Sequence, residues 1–299
     1  MRAKPRFVGW LLPGLVALAA GCVGAASPKA PPTAPASPTA PPAPPTPSPL
    51  EEIRAALRAG DFEGARARLR AAGMGSSLPA DLLNEALRQG ARAGADLYRE
   101  WVAEEWTQRD GEWIGVEIPE ERRAALRARG RRLAEESLAF LREACDCVTE
   151  TFDPIPERFP AGLDEGAFLV WRLAMQEIPG GPAKESEPVE AWLSRRLGRP
   201  KEDLLVMTWC PMAGRPGIVA IGLDVYDVEA GRPLGRVPGW EQLEEGERGA
   251  PWGVNCLKDR MILAYMFIGG LGVKLEAEWT GEAFRFVRLT REQYPWPLP

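Results

Sequence analysis

Five cysteines and no histidine define the side-chain chemistry open to this 299-residue chain. Cys145, Cys147, Cys210 and Cys256 form an even set, which in an exported protein is typical of disulfide bonds, with three possible pairings. Within a helix, Cys145 and Cys147 would point about 200° apart, so they have different partners or the helix ends before them. A Cys210–Cys256 bond is also possible. Its loop of about 46 residues would stabilise the fold by about 4 kcal/mol on the chain-entropy model.

A zinc site built from the same four cysteines is the alternative interpretation. Cysteine pairs that bind zinc are typically separated by about two to four residues, whereas a single residue separates Cys145 from Cys147. The spacing therefore favours disulfides, and we predict no metal site.

The absence of histidine limits the kinds of enzyme that this chain could be. It excludes Ser-His-Asp and Cys-His nucleophile activation and every histidine-containing zinc or iron site. An enzyme of this composition would depend on carboxylates, Lys, Tyr, Ser or Cys. The sequence contains no catalytic or cofactor motif, so we predict a non-catalytic protein without a cofactor. The acidic segments "KESEPVE" and "EQLEEGE" lack the residue spacing of a calcium loop and are interpreted as solvated surface.

Two tryptophans adjoin the cysteines that could pair across the C-terminal half. Trp209 lies in "TWCP" and Trp252 in "PWGVNC". A Cys210–Cys256 bond would bring both indoles into one neighbourhood, where they could form a stacking platform for a sugar or a peptidoglycan fragment. Burial in the core is the alternative, because tryptophan carries a large apolar area.

The N-terminal segment has the features of an export signal in the expected order. Three basic residues within the first six precede an apolar stretch, residues 7–18, that is shorter than the about 20 residues needed to cross a bilayer. The small residues 19–21 stand directly before Cys22. This arrangement resembles the lipobox of bacterial lipoproteins over residues 1–22, with Ala19 where leucine is more common.

The resemblance implies a cleaved signal peptide, residues 1–21, and a lipid attached to Cys22. In that family the cysteine carries diacylglycerol on its thiol and an acyl group on its new amino terminus, and two or more chains hold a protein durably on a bilayer. We therefore expect a protein that is anchored to the membrane through lipid. Its folded domain would face outward, at the cell surface or in the periplasm. An ordinary secretory signal with an incidental cysteine is the alternative.

Residues 22–49 form a proline-rich linker after the proposed anchor. Eleven of the 30 prolines lie within residues 27–49, among Ala, Ser and Thr. Because proline fixes φ and donates no backbone hydrogen bond, this composition favours an extended, solvated segment over a packed element. It is either a spacer that lifts a domain off the membrane or a disordered tether.

The charge of the chain limits its partners. The net charge is −5, which disfavours nucleic acid and gives no attraction to an anionic membrane, so lipid must supply the attachment. The basic stretch at residues 122–132 has acidic residues on both sides. It is interpreted as a solvated helix face, with an anion-binding patch as the alternative.

The remaining residues predict an α+β fold, with an N-terminal helical half followed by a mainly antiparallel β-sheet half. Residues 50–150 show helical periodicity, including a helix from about residue 120 to 147, and a short hairpin is indicated around Asp110-Gly111. Residues 151–299 combine helices at about 165–178 and 189–197 with C-terminal strands. The two regions can also be one domain. The order is similar to that of cone-type folds, in which helices cover a single curved sheet.

The predicted strands are rich in branched and aromatic residues and are separated by Gly or Pro. They are "LLVMTW", "IVAIGLDVYDV", "MILAYMFIGG", "VKLEAEW" and "AFRFVRL", and the last two are expected to form a hairpin through Thr280-Gly281. The function that these observations favour is a non-catalytic envelope domain that binds a protein partner or a glycan ligand. A carboxylate-dependent hydrolase of envelope glycan or peptide, and a structural or assembly lipoprotein, are the alternatives.

Overall fold

The computed structural model describes residues 47–75, 78–109, 112–145, 161–182, 186–249, 252–257, 261–268 and 270–293. These residues belong to one compact unit, Thr46–Pro299. The predicted signal peptide, Cys22 and nearly all of the proline-rich linker lie outside the described residues, as does Cys147.

The N-terminal half is helical, as predicted. Its first helix begins where a capping box joins Ser48 and Glu51, each of which accepts a hydrogen bond from the backbone of the other. The apolar residues on one face of the first two helices are fully buried: Ile53, Leu57, Phe62, Ala65 and Leu69. Among the described residues, six α-helices precede the strands of the C-terminal half: α1 (Pro49–Arg58), α2 (Phe62–Ala71), α3 (Ala80–Glu105), α4 (Glu120–Ala144), α5 (Glu165–Glu177) and α6 (Ser186–Leu197).

A short hairpin separates α3 from α4, as the sequence predicts. Its strands β1 (Trp106–Arg109) and β2 (Glu112–Gly115) pair antiparallel, and Asp110 and Gly111 themselves lie outside the described residues. The predicted end of α4 was wrong, because the helix stops at Ala144 and Cys145 is already extended, with φ −150° and ψ 124°. Cys145 is disulfide-bonded, and its partner lies outside the described residues.

Helix α5 is the centre of the helical layer. Its residues from Gly166 to Met175 are all buried, so the helix is covered on every side. Small residues on α3 permit a close approach: a Cβ at Gly90 would lie 2.7 Å from Cδ1 of Trp171, and one at Gly94 would lie 3.1 Å from Cβ of Ala174. The glycines of α3 are therefore packing residues, since larger side chains would push α5 away.

The C-terminal half contains two four-stranded antiparallel sheets. In the first, which we call the middle sheet, the strands lie in the order β3-β4-β5-β6; in the second, the outer sheet, the order is β10-β9-β8-β7. The α+β prediction is thereby confirmed. The middle sheet contains β3 (Met207–Trp209), β4 (Ile218–Ile221), β5 (Asp224–Asp227) and β6 (Arg232–Arg236), and the outer sheet contains β7 (Gly253–Leu257), β8 (Met261–Ile268), β9 (Leu271–Trp279) and β10 (Phe284–Gln293).

Several details of the strands differ from the prediction. Leu204 lies in a 3-10 helix, Lys201–Val206, so only the end of "LLVMTW" is a strand. The segment "IVAIGLDVYDV" folds back on itself at Gly222, whose φ of +55° suits glycine, and becomes the hairpin β4-β5. The β9-β10 hairpin around Thr280-Gly281 is confirmed. The described strands form separate sheets, so the comparison with a single curved sheet was wrong.

Strands β4 and β5 of the middle sheet are buried on both faces, whereas the edge strand β6 is mostly exposed. Val219, Ile221 and Tyr226 pack with the helices, whereas the alternate residues Ala220 and Val225 pack with the inner face of the outer sheet. Successive side chains of a strand point to opposite faces, so one strand can serve two cores. The described part of the molecule is therefore layered as helices, middle sheet and outer sheet.

The Cys210–Cys256 disulfide joins the two sheets, which is one of the pairings that the sequence allows. Cys210 directly follows β3, Cys256 lies in β7, and their Cα atoms are 5.3 Å apart across a sequence separation of 46. Both side chains are buried in the core between the sheets. A zinc site that uses all four cysteines is excluded, since Cys210 and Cys256 are bonded to each other.

Gly130 provides a test of the close packing in the helical layer. A Cβ at this position of α4 would overlap the carbonyl oxygen of Pro179. We predict that Gly130→Ala lowers the free energy of unfolding by about 2 kcal/mol, although alanine is intrinsically the better helix former. Gly246→Ala is the control, because a Cβ there meets nothing within 4 Å. Equal stability of the two variants in urea unfolding would contradict the packing described above.

Candidate functional site

A cavity of about 160 Å³ lies where the middle sheet meets the segment that leads to the outer sheet. Its floor comes from the β4-β5 turn at Gly222 and Leu223. Its walls are polar and aromatic: Asp224, Arg236, Trp240, Arg248 and Trp252. We call this the Trp240 cavity.

Backbone geometry fixes Trp240 at the edge of this cavity. Gly239 has φ +96°, and a Cβ at this position would overlap the ring of Phe286 in β10. The following 3-10 helix, Trp240–Gln242, starts from this glycine, and the Val237 amide donates to the Leu223 carbonyl at 2.8 Å. The indole is therefore held by contacts with both sheets.

Two arginines lie over the Trp240 ring. Their guanidinium carbons are 4.4 Å (Arg236) and 5.4 Å (Arg248) from the ring centroid, within the range of cation–π attraction. Nε of Arg236 donates to Oδ1 of Asp224 at 3.1 Å, and Nη2 of Arg248 donates to the Glu241 carbonyl at 2.7 Å. Both arginines are exposed, so the cavity combines an aromatic wall with two accessible cations.

An ion pair between the buried Glu247 and the more exposed Arg291 positions α7 (Glu245–Arg248) behind the cavity. Glu247 is 5% exposed and accepts two hydrogen bonds from Arg291 of β10, each at 2.7 Å, and a third from the Glu244 amide at 2.8 Å. These hydrogen bonds, the Arg291 guanidinium foremost, hold the pKa of Glu247 below its ordinary value. The Glu247 carbonyl accepts from the Trp252 indole at 2.9 Å, so one residue holds α7, β10 and Trp252 together.

The predicted tryptophan platform was wrong in its geometry. Trp209 is 2% exposed, packs 4.9 Å from the Tyr98 ring on the helix side of the middle sheet, and donates to the Pro216 carbonyl at 2.7 Å. Trp252 is 5% exposed and belongs to the core between the sheets. The disulfide does not bring the two indoles to one surface, because they lie on opposite faces of the middle sheet. Only Trp252 reaches the Trp240 cavity.

A second cavity of about 130 Å³ lies between α3, α5 and the loop before β4. Arg88 and Arg92 line it from α3, and Glu229 lines it from the β5-β6 turn. Arg88 is paired with Asp164, the N-cap residue of α5, and with Glu229 at 2.9 Å. The contacts of Arg88 connect two helices with a turn of the middle sheet, which is a structural role.

Most of the basic stretch at residues 122–132 is exposed, in agreement with its interpretation as a solvated helix face, and some of its arginines also contact α3. Arg122 and Arg129 both bind Glu100 of α3, and Arg127 lies over the Trp101 ring. The paired guanidinium groups lower the pKa of Glu100. The stretch therefore connects α4 to α3 through ion pairs that are partly exposed and individually weak.

The acidic segments contribute structure within the described part of the chain. "EQLEEGE" contains the start of α7 and the buried Glu247, and α6 begins within "KESEPVE". Over the residues that the structure describes, no group of three or more Asp, Glu, Cys or His is arranged to hold a metal ion. None of the described helices has the length and apolar character needed to cross a membrane.

No protein-family model, curated protein or solved structure matches the chain. The interpretation of the site therefore depends on its own geometry.

Sequence reasoning missed the principal residues of the cavity. Trp240, Arg236 and Arg248 lie at spacings of four and eight residues, and only the 3-10 turn, Gly239 and α7 bring them together. A tryptophan flanked by two arginines in a segment rich in Gly and Pro was the available signal.

The Glu247–Arg291 pair makes a prediction about pH. We predict that Glu247→Gln lowers the free energy of unfolding at neutral pH by about 1–3 kcal/mol, since a hydrogen-bonded charge is lost. Because the folded-state pKa of Glu247 is lowered, wild type gains this stability above the unfolded pKa of about 4.3 and loses it as the pH falls through the folded-state value. The difference between the two proteins should therefore shrink in acid.

The control for this experiment is Glu245→Gln, an exposed residue of the same helix. Its chemical denaturation curve should match that of wild type at both pH values. A deficit of Glu247→Gln that stays constant from neutral pH to pH about 3 would show that the carboxylate charge is not what stabilises α7.

Proposed function

We propose that this protein is a lipid-anchored, non-catalytic binding protein on the outer side of a bacterial membrane, with the Trp240 cavity as its ligand site. The Cys210–Cys256 bond between the sheets is the observation that supports this most strongly. Disulfides persist in oxidising compartments and are rare in the cytosol. Cys145 is a third disulfide-bonded cysteine.

The start of the folded unit supports a separate anchor and linker. The compact unit begins at Thr46, near the end of the proline-rich segment, and α1 starts with its own capping box at Ser48. The capping box binds backbone amides at the start of α1 without any residue before Ser48. This organisation suits attachment through Cys22 followed by a spacer.

The charged groups of the cavities favour binding over proton transfer. Asp224 is paired with Arg236 at 3.1 Å and lies 3.6 Å from Arg199, and Glu229 is paired with Arg88. Hydrolysis of a glycan by two carboxyl groups needs one acid with a raised pKa next to the scissile bond. Burial raises the pKa of Glu136, but Glu136 lines neither cavity. Cation–aromatic surfaces of this kind recognise ligands.

The anchor is tested by Cys22→Ala in bacterial cells that express the full chain. We predict that fatty-acid labelling is lost and that the protein is no longer retained in membranes, because no thiol remains to accept the lipid. Val23→Ala is the matched control, since it changes the neighbouring residue and leaves the thiol in place. Labelling that persists in Cys22→Ala would refute lipidation at this residue.

A further inference from the structure

The Trp240 cavity is positive in a chain that is negative overall. Its charged lining consists of Arg236, Arg248 and Asp224, whereas the whole chain carries a net charge of −5. A cavity focuses the field of the charges that line it, so this local excess of cations attracts anions.

Both arginines keep hydrogen-bond donors for a ligand. A guanidinium has five N–H donors, and the structure gives Arg236 one hydrogen bond, to Asp224, and Arg248 one, to the Glu241 carbonyl. Half of the Arg236 side chain is exposed. The remaining N–H groups match the paired oxygens of a carboxylate or phosphate, which arginine binds in a bidentate manner.

The cavity is also preorganised. The backbone of Trp240 is positioned by Gly239, and Arg248 lies on α7, which the ion pair between Glu247 and Arg291 attaches to β10. Trp252, the second aromatic wall, donates its indole N–H to the Glu247 carbonyl. Groups that are already held in place lose little entropy when a ligand binds.

The size of the cavity limits its ligand to one small unit. Its volume of about 160 Å³ is below the about 300–1,000 Å³ of sites that enclose drug-sized molecules. The partly exposed Trp240 indole provides the flat apolar surface on which a sugar ring packs, and the arginines provide the partners for an acidic group.

We propose that the Trp240 cavity binds an acidic sugar unit, through its carboxylate or phosphate to Arg236 and Arg248 and through its ring to the Trp240 indole. This inference rests on the proposed binding function and names its ligand class. The acidic group contributes most of the affinity, and the ring provides selectivity against inorganic anions.

Isothermal titration calorimetry of the full-length protein in neutral detergent tests the inference with four probes. Glucuronate and glucose 6-phosphate carry the two acidic groups on a sugar, glucose carries neither, and inorganic phosphate has no ring. We expect at least one acidic sugar to bind about tenfold more tightly than glucose and than inorganic phosphate. Binding of glucose as tight as that of both acidic sugars overturns the assignment to an acidic ligand. Phosphate that binds as tightly as glucose 6-phosphate, with no binding of glucuronate, overturns the sugar assignment.

Variants of the cavity locate the binding site. Arg236→Gln and Arg248→Gln should each weaken acidic-sugar binding about tenfold, and Arg285→Gln, an exposed arginine on β10 paired with Glu278, should leave it unchanged. Arg236→Lys and Arg248→Lys keep the positive charge but lose the planar set of donors, so they should weaken binding by a smaller factor. Each lysine variant is used in place of the corresponding Gln variant if the near-ultraviolet circular dichroism of that Gln variant departs from wild type. Unchanged affinity in the variants at both positions overturns the site.

The result of the sugar-binding measurements does not depend on whether the protein carries a lipid anchor at Cys22. Loss of sugar binding would leave the Cys22→Ala result standing, and failure of Cys22→Ala to release the protein would leave a measured sugar affinity valid. The ligand class and the location are thus judged by separate experiments.

Discussion

The burial of strands β4 and β5 of the middle sheet on both faces is the constraint on which the rest of the structure depends. Every residue of β4 is buried, so this strand must be covered by the helices on one side and by the outer sheet on the other. The Cys210–Cys256 bond joins the middle sheet to its second cover within the buried core. Because a cross-link reduces the freedom of the unfolded chain, the bond favours the layered state over a state in which the sheets separate.

The candidate site is a consequence of the same layering. The segment between β6 and β7 must pass from one sheet to the other, and it carries Trp240, α7 and Trp252 on the way. Gly239 allows this segment to pack against Phe286, and the ion pair between Glu247 and Arg291 connects it to β10. The cavity therefore has rigid walls although it is built from connecting residues, which is where binding residues commonly lie.

The sequence predicted the elements whose patterns are local and missed those that depend on tertiary context. The apolar face of α1 and α2 and the β9-β10 hairpin follow from periodicity and turn residues. Strand β6 was missed because Pro233 and Gly235 read as a loop, and they are tolerated because β6 is at the edge of its sheet. The prediction of a platform that includes Trp209 was wrong because the sequence does not show which face of a doubly covered sheet a residue occupies. The Trp240 cavity was missed because its arginines come together only after folding.

The Cys210–Cys256 disulfide between the two sheets is the bond on which this layered arrangement most depends. It is tested most directly by blocking free thiols in intact cells, digesting the protein without reductant and identifying the cysteine peptides by mass spectrometry. The account predicts a cross-linked peptide pair that contains Cys210 and Cys256, with neither residue alkylated. Quantitative alkylation of both cysteines in the natively folded protein would contradict it.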